Sequence, residues 1–231
     1  FASMANDQYF VSDSWAESFP TYLKTDYFGG RGKWSFGVLH TFGNVDRLHG
    51  DVADLIARVK KVVADPKAKN CVGLDIVPES THHNFLYFDL AADLAWDPRK
   101  VELDDYLHRY SVRRYGEESA DAMAAAWKLV AQSAYANNIE ANPTALYQNP
   151  LPKNPGGGDR LAKDEIDKRV SFIPDLKKAL ELALAERDKL ADNPFYQRDI
   201  VDIANALFGF VFDRHAFQIR EAFEKNNMES F

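Results

Sequence analysis

The sequence predicts an α/β fold followed by an all-α region: strands of an incomplete parallel α/β barrel, then a helical bundle. Three observations carry this. Up to Pro98, short apolar runs that close on polar residues alternate with helical apolar spacing, the order of a parallel sheet with right-handed crossovers. From Val101 onward no run is persuasive as a strand, and apolar residues recur at three and four. Within the first part, Cys71 to Asn84 reads as a buried strand with Gly73 inside it, a break at Pro78, the carboxylate Glu79, and then a helix. A parallel barrel carries its chemistry at the C-terminal ends of its strands, so Glu79 is the first catalytic candidate. The competing reading is an acid at a helix N-terminus, favoured there by the macrodipole.

Composition narrows the function classes. The chain has 231 residues, 46% of them hydrophobic, enough for one good core or two smaller ones. A formal charge of -7 without a basic cluster argues against a nucleic-acid partner. Arg58-Val59-Lys60-Lys61 lies on an amphipathic pattern and reads as a solvated face. No apolar run reaches the ~18 residues of a membrane span. The N-terminal residues Phe1 to Asn6 show no signal peptide, and without a Met at position 1 the chain is expected to begin mid-protein. The single cysteine, Cys71, excludes an internal disulfide and is expected to be a buried, inert thiol. No N-glycosylation acceptor occurs, since Asn142-Pro143-Thr144 carries a proline.

In chain order, Tyr9 to Asp13 is the first strand, followed by Ser14-Trp15-Ala16-Glu17-Ser18. An aromatic ring beside carboxylates suits a sugar; a Trp packed under a loop with solvated acids is the plainer reading. Tyr22 to Lys33, with Gly29, Gly30 and Gly32, is a turn-rich link. Trp34 to Leu39 is the second strand and ends in His40-Thr41-Phe42-Gly43-Asn44. Asp51 to Val63 has one apolar stripe, namely Val52, Leu55, Ile56, Val59, Val62 and Val63. Cys71 opens the third strand. Asn84 to Trp96 is a helix with Phe85, Phe88, Leu90, Leu94 and Ala95 expected to face inward. Three strands cannot close a barrel, and unpaired edges are expected.

Beyond the boundary near Pro98, helices are expected over Asp104 to Tyr115, Glu118 to Tyr135, Lys163 to Leu190 and Tyr196 to Lys225. The Pro- and Gly-rich stretch Asn149 to Asp159 is expected to be a loop, and Asp192-Asn193-Pro194 separates the last two helices. Arg113 and Arg114 are expected to pair with acids such as Asp104 or Asp105, and Phe208, Phe210, Phe212 and Phe217 to be core or inter-domain contacts. Two domains follow, 1–98 and 99–231.

Three stretches together carry a resemblance. They are Asp13-Ser14-Trp15-Ala16-Glu17-Ser18; Val38-Leu39-His40-Thr41-Phe42-Gly43 with Leu48-His49-Gly50; and Pro78-Glu79 with Asn84 and Tyr87. Behind them come Arg113-Arg114-Tyr115-Gly116, Trp127 and Asp199-Ile200-Val201-Asp202. In this order they resemble the α-N-acetylglucosaminidases of glycoside hydrolase family 89, from about Tyr9 to Phe223. The resemblance implies the last strands of a partial (β/α)8 TIM barrel with a C-terminal α-helical bundle domain. It implies retaining hydrolysis of terminal α-linked N-acetylglucosamine from a glycan, with Glu79 as nucleophile and no cofactor. By position it implies substrate contacts from Asp13, Trp15, Glu17, His40, Asn44, His83 and Asn84. Ser80 and His83 stand where the family has glycine and glutamine, which leaves open a related glycosidase acting on another α-hexoside. The family's general acid belongs to an earlier strand, so a companion polypeptide or an upstream segment is expected to supply it; otherwise the chain is a carbohydrate-binding fragment. An extracytoplasmic location is a family expectation. A metal site built on His82, His83 and His40 is not expected, because adjacent histidines rarely converge on one ion.

Overall fold

A computed structural model describes residues 9–40, 48–79, 84–136 and 163–224. Asn44, Ser80, His82, His83 and the expected loop Asn149 to Asp159 lie outside the described residues. By internal contacts the chain divides into two compact units, Phe1–Asp46 with Asp51–Tyr106, and Arg47–Gly50 with Leu107–Phe231.

The first unit is mixed α/β. Its strands β1 (Phe10–Asp13), β2 (Lys33–Val38) and β3 (Cys71–Ile76) form one parallel sheet in the order β1-β2-β3. The register sets Ser12 beside Ser35, Asp13 beside Phe36, Ser35 beside Gly73 and Gly37 beside Asp75. Alternation then divides the faces. Trp34, Phe36 and Val38 are buried on one face, with Tyr22 stacked on Trp34 at 4.9 Å and Tyr27 and Phe28 around it. Between β1 and β2 lie α1 (Thr21–Lys24) and α2 (Asp26–Gly29). Within α2 the backbone is left-handed: Asp26, Tyr27 and Phe28 have φ of 46°, 55° and 56°. Each such residue costs about 1–2 kcal/mol. Burial of the Tyr27 and Phe28 rings, and a hydrogen bond from the Tyr27 hydroxyl to Asp65, offset that cost.

The helix α3 (Val52–Ala64) starts where the Asp51 carboxylate accepts from the Asp54 amide at 2.8 Å. It buries Val52, Leu55, Ile56, Val59 and Val62 as its stripe predicts, while Val63 is exposed. After the 3-10 turn Pro66–Ala68 and β3 comes α4 (Phe85–Trp96). Here the inward face differs from the expected one. Leu86, Tyr87, Leu90, Ala91 and Leu94 are buried, whereas Phe85 and Ala95 are exposed and Phe88 is half-buried. The helix is apolar nearly all round, so spacing could not choose its phase. Cys71 is half-buried rather than buried; burial still pushes its thiol up, which keeps it protonated.

The second unit is helical. It takes over within α5 (Leu103–Tyr115), whose first residues, like the 3-10 turn at Pro98–Lys100 before them, belong to the first unit, and it continues with α6 (Glu117–Gln132) and a 3-10 turn at Ala134–Ala136. Then come α7 (Lys163–Ser171), α8 (Ile173–Ala185), α9 (Arg187–Leu190) and α10 (Pro194–Glu224). The single helix expected over Lys163 to Leu190 is thus three, broken at Phe172 and Glu186. Pro174 accounts for the first break, since it suits a helix's first turn and not its interior. The core holds Trp127, Met123, Val130, Leu176, Ala179, Ala183 and Ile203. Arg114 does not take the expected partners: its guanidinium grips Asp199 at 2.7 and 2.9 Å. Asp199 also accepts from the Tyr115 hydroxyl, which accepts from Trp127 Nε1 at 2.8 Å. Phe210 is buried as expected, but Phe208 is exposed on α10.

Candidate active site

Glu79 follows β3 by three residues, and its side chain is exposed. The pairing that leads to it runs past the strand proper, since Val77 N–H donates to Val38 O at 2.9 Å. This places the carboxylate at the C-terminal edge of the sheet, the edge to which β1 and β2 also deliver their polar ends.

Those ends are built from backbone constraints. Asp13 closes β1, and its Oδ2 accepts from the Tyr22 amide at 2.8 Å, which fixes the return of the chain toward α1. Gly37 permits a close crossing: a Cβ there would lie 2.4 Å from Ser14 Cα and 2.6 Å from Asp13 O. The Ala16 amide reaches both Asp13 O and Gly37 O at 3.0 Å, so the segment after β1 is laid across β2. Trp15 is half-buried and its ring packs 4.2 Å from Phe19.

Glu17 arrives from this crossing, 4% exposed, and its Oε1 accepts from the Leu39 and His40 amides at 2.8 and 2.7 Å. Two consecutive N–H groups converging on one anion form a nest. The nest is tied to a left-handed backbone at His40, with φ of 53°. Strain of this kind costs about 1–3 kcal/mol and persists only where surroundings impose it. His40 is 3% exposed, stacked on Tyr87 at 3.7 Å and edge-on to Phe88 at 5.6 Å.

Asn84 is the N-cap of α4, yet its side chain makes no cap hydrogen bond. Its Nδ2 meets His40 Nε2 at 3.0 Å instead. With the amide donating, Nε2 accepts and the neutral ring carries its proton on Nδ1. So Glu17, His40 and Asn84, from the ends of β1 and β2 and the start of α4, form one connected group. Asp13 and Trp15 stand on the same crossing segment. Asn44 and His83 lie outside the described residues. Tyr87 and Phe88 wall the histidine; Phe88 was read as core, and only its half-burial beside an imidazole shows otherwise. The arrangement is a buried polar cluster at the sheet edge that also carries the exposed Glu79. Among the described residues no three His, Cys, Asp or Glu side chains group as a metal would need, and no helix is long and apolar enough to cross a membrane.

A parallel sheet whose strand ends carry carboxylate, imidazole and amide groups, followed by helices, has the build of an α/β enzyme. The comparisons identify the family. A family model described as the α-N-acetylglucosaminidase (NAGLU) tim-barrel domain matches residues 1–98. One described as the α-N-acetylglucosaminidase (NAGLU) C-terminal domain matches residues 106–231. The chain belongs to the α-N-acetylglucosaminidase family. No curated protein matches its sequence. Among solved structures it resembles a family 89 glycoside hydrolase from Clostridium perfringens in complex with PUGNAc, at TM-score 0.78 and 22% identity over 99% of this chain. The same hydrolase with 2-acetamido-1,2-dideoxynojirmycin gives the same values. A variant with two glutamates changed to glutamine, in complex with its substrate GlcNAc-alpha-1,4-galactose, matches at TM-score 0.77 and 21% identity over 98% of this chain. In each case the chain spans 25% of the neighbour's length.

Proposed function

We propose that this chain is the nucleophile-bearing part of a retaining glycosidase that releases terminal α-linked N-acetylglucosamine from glycans. The observation that carries the reading is the place of Glu79: an exposed carboxylate at the C-terminal edge of a parallel sheet, in a segment matched by the family's barrel model. The Glu79 carboxylate attacks the anomeric carbon while the leaving oxygen takes a proton from a second carboxyl group. The resulting ester is hydrolysed by a water that the second group deprotonates, with the two carboxyls about 5–5.5 Å apart. The molecules bound in the Clostridium perfringens neighbours, among them the substrate GlcNAc-alpha-1,4-galactose, support an N-acetylated sugar, and the paired glutamate changes in one of them support two carboxylates.

Glu17 does not serve as the second group in this reading, because its Oε1 is held by two backbone amides. The acid/base comes from a companion polypeptide or an upstream segment that completes a (β/α)8 barrel of which β1, β2 and β3 are the last strands. Exposed Phe10 on β1 and Val72 and Ile76 on β3 support that completion, because both strands are sheet edges. The barrel part ends near Pro98 and the helical domain follows. Asp13, Trp15, Glu17, His40, Asn84 and, from outside the described residues, Asn44 and His83 form or position the sugar-contacting wall. The family's setting supports an extracytoplasmic location.

The test is Glu79→Gln in the completed enzyme. Hydrolysis of an α-N-acetylglucosaminide is expected to fall by several orders of magnitude, with the circular dichroism spectrum unchanged. Full turnover in the variant would overturn the nucleophile assignment. Ser80 and His83 favour one further comparison, between N-acetylated and non-acetylated α-glucosides; preference for the latter would assign a different α-hexoside.

A further inference from the structure

The segment between β1 and α1 is held along its whole length. The Ala16 amide binds Asp13 O and Gly37 O, the Glu17 carboxylate takes the Leu39 and His40 amides, and the Tyr22 amide donates to Asp13. Inside it the Phe19 amide donates to Trp15 O at 2.8 Å, closing a single i to i+4 turn. That turn brings the two rings to 4.2 Å, with 48° between their planes. Pro20 follows and restricts the Phe19 backbone further. Yet Phe19 is 51% exposed, and Trp15 beside it is half-buried. A large ring left half in water adds little to the core of its own unit. Carried on a fixed backbone, it also loses little freedom when a ligand covers it.

The order of the strands gives this ring its place in the reaction. Among the described residues β1 is one edge of the sheet, two strand spacings from β3, or about 10 Å. In the glycosidase reading Glu79 follows β3, and the acid/base comes from earlier strands, which continue the sheet at the free edge of β1. The acid/base protonates the leaving oxygen, so the leaving group lies on its side of the scissile bond. The segment after β1 is on that side, across β2 from Glu79. An aromatic face is electron-rich and attracts the C–H groups on the flat side of a pyranose ring. We propose that Phe19, with Trp15 packed against it, is a stacking platform for the sugar of the leaving group. The inference rests on the glycosidase reading and adds to it a residue that distinguishes a sugar leaving group from a smaller one.

The experiment measures kcat/KM of the completed enzyme on two α-N-acetylglucosaminides, the disaccharide GlcNAc-alpha-1,4-galactose and the methyl glycoside. Relative to wild type, Phe19→Ala is expected to lose about 5- to 10-fold on the disaccharide and to stay within about 2-fold on the methyl glycoside. Phe19→Tyr, which keeps the ring, retains the wild-type preference. An equal loss on both glycosides overturns the proposal, because a ring that only supports the fold, or only packs against a neighbouring strand, affects both alike. No loss on either overturns it as well. Should Phe19→Ala not fold, Phe19→Leu takes its place, with an apolar side chain but no ring: a reduced preference for the disaccharide supports the platform, and an unchanged one overturns it. A wild-type enzyme that hydrolyses neither glycoside refutes the glycosidase reading itself, and the platform with it.

Discussion

At Glu17 the chemistry of a residue type and its use in the fold part company. A carboxylate beside a tryptophan after a strand reads as a sugar ligand, yet its Oε1 lies 2.8 and 2.7 Å from two backbone amides. Burying those amides without an acceptor costs about 1–3 kcal/mol for each group. Glu17→Ala is therefore expected to lower urea-unfolding stability by about 2–4 kcal/mol, while Glu17→Gln, whose carbonyl still accepts, loses much less. Equal losses for the two variants would remove the nest from the argument. Asp199 presents the opposite case, a charge matched by another charge. Its bidentate pair with Arg114 is buried, so Asp199→Asn strands a guanidinium and is expected to cost about 3–5 kcal/mol. A change below about 1 kcal/mol in chemical denaturation would show that water reaches the pair. The motif residues Arg114, Tyr115, Trp127 and Asp199 thus form one hydrogen-bonded cluster inside the helical unit. Its members were visible in the sequence, but the partner of Arg114 was not, since Asp199 is 85 positions away.

Among elements, the left-handed turn α2 shows most directly what holds a costly backbone in place. The Tyr27 phenol is pushed up to about 12, first by its hydrogen bond to Asp65 and then by burial. An unfolded tyrosine titrates near 10. The folded state therefore keeps a proton that the unfolded state loses, and stability falls as pH rises from about 10 through about 12. Below pH ~10 the contribution is complete. Denaturation midpoints across that window are expected to fall more steeply for the wild type than for Tyr27→Phe; parallel curves would mean the phenol is not what holds the turn. The sequence offered only Gly29, Gly30 and Gly32 as a sign of a turn here, because left-handed Asp26, Tyr27 and Phe28 break the usual preference. α4 was legible as a helix and illegible in phase, since Phe85, Leu86, Tyr87, Phe88, Leu90, Ala91, Leu94 and Ala95 supply apolar groups on every side. The interruption near Phe172 was also available, through Pro174, to a reading that weighed the proline above the periodicity.

For the whole molecule, the decisive quantity is the share of the family's architecture in this chain. It spans 25% of the solved structures it resembles, and its sheet has three strands among the described residues. Native and denatured intact masses of the purified protein are expected to reveal a second polypeptide, retained natively, or a longer covalent chain. A lone 26.2 kDa species that hydrolyses α-N-acetylglucosaminides would overturn the external acid/base. What the sequence determined by itself was the alternation of strands and helices, the change to helices after Pro98, and the family, because periodicity and ordered motifs are properties of the chain read locally. Tertiary structure alone decided that Glu17 Oε1 meets the Leu39 and His40 amides and Asn84 Nδ2 the His40 ring, which face of α4 is inward, and where Arg114 finds its counter-ion. These depend on register and on backbone dihedrals at single residues such as His40, and they join positions that no local pattern links.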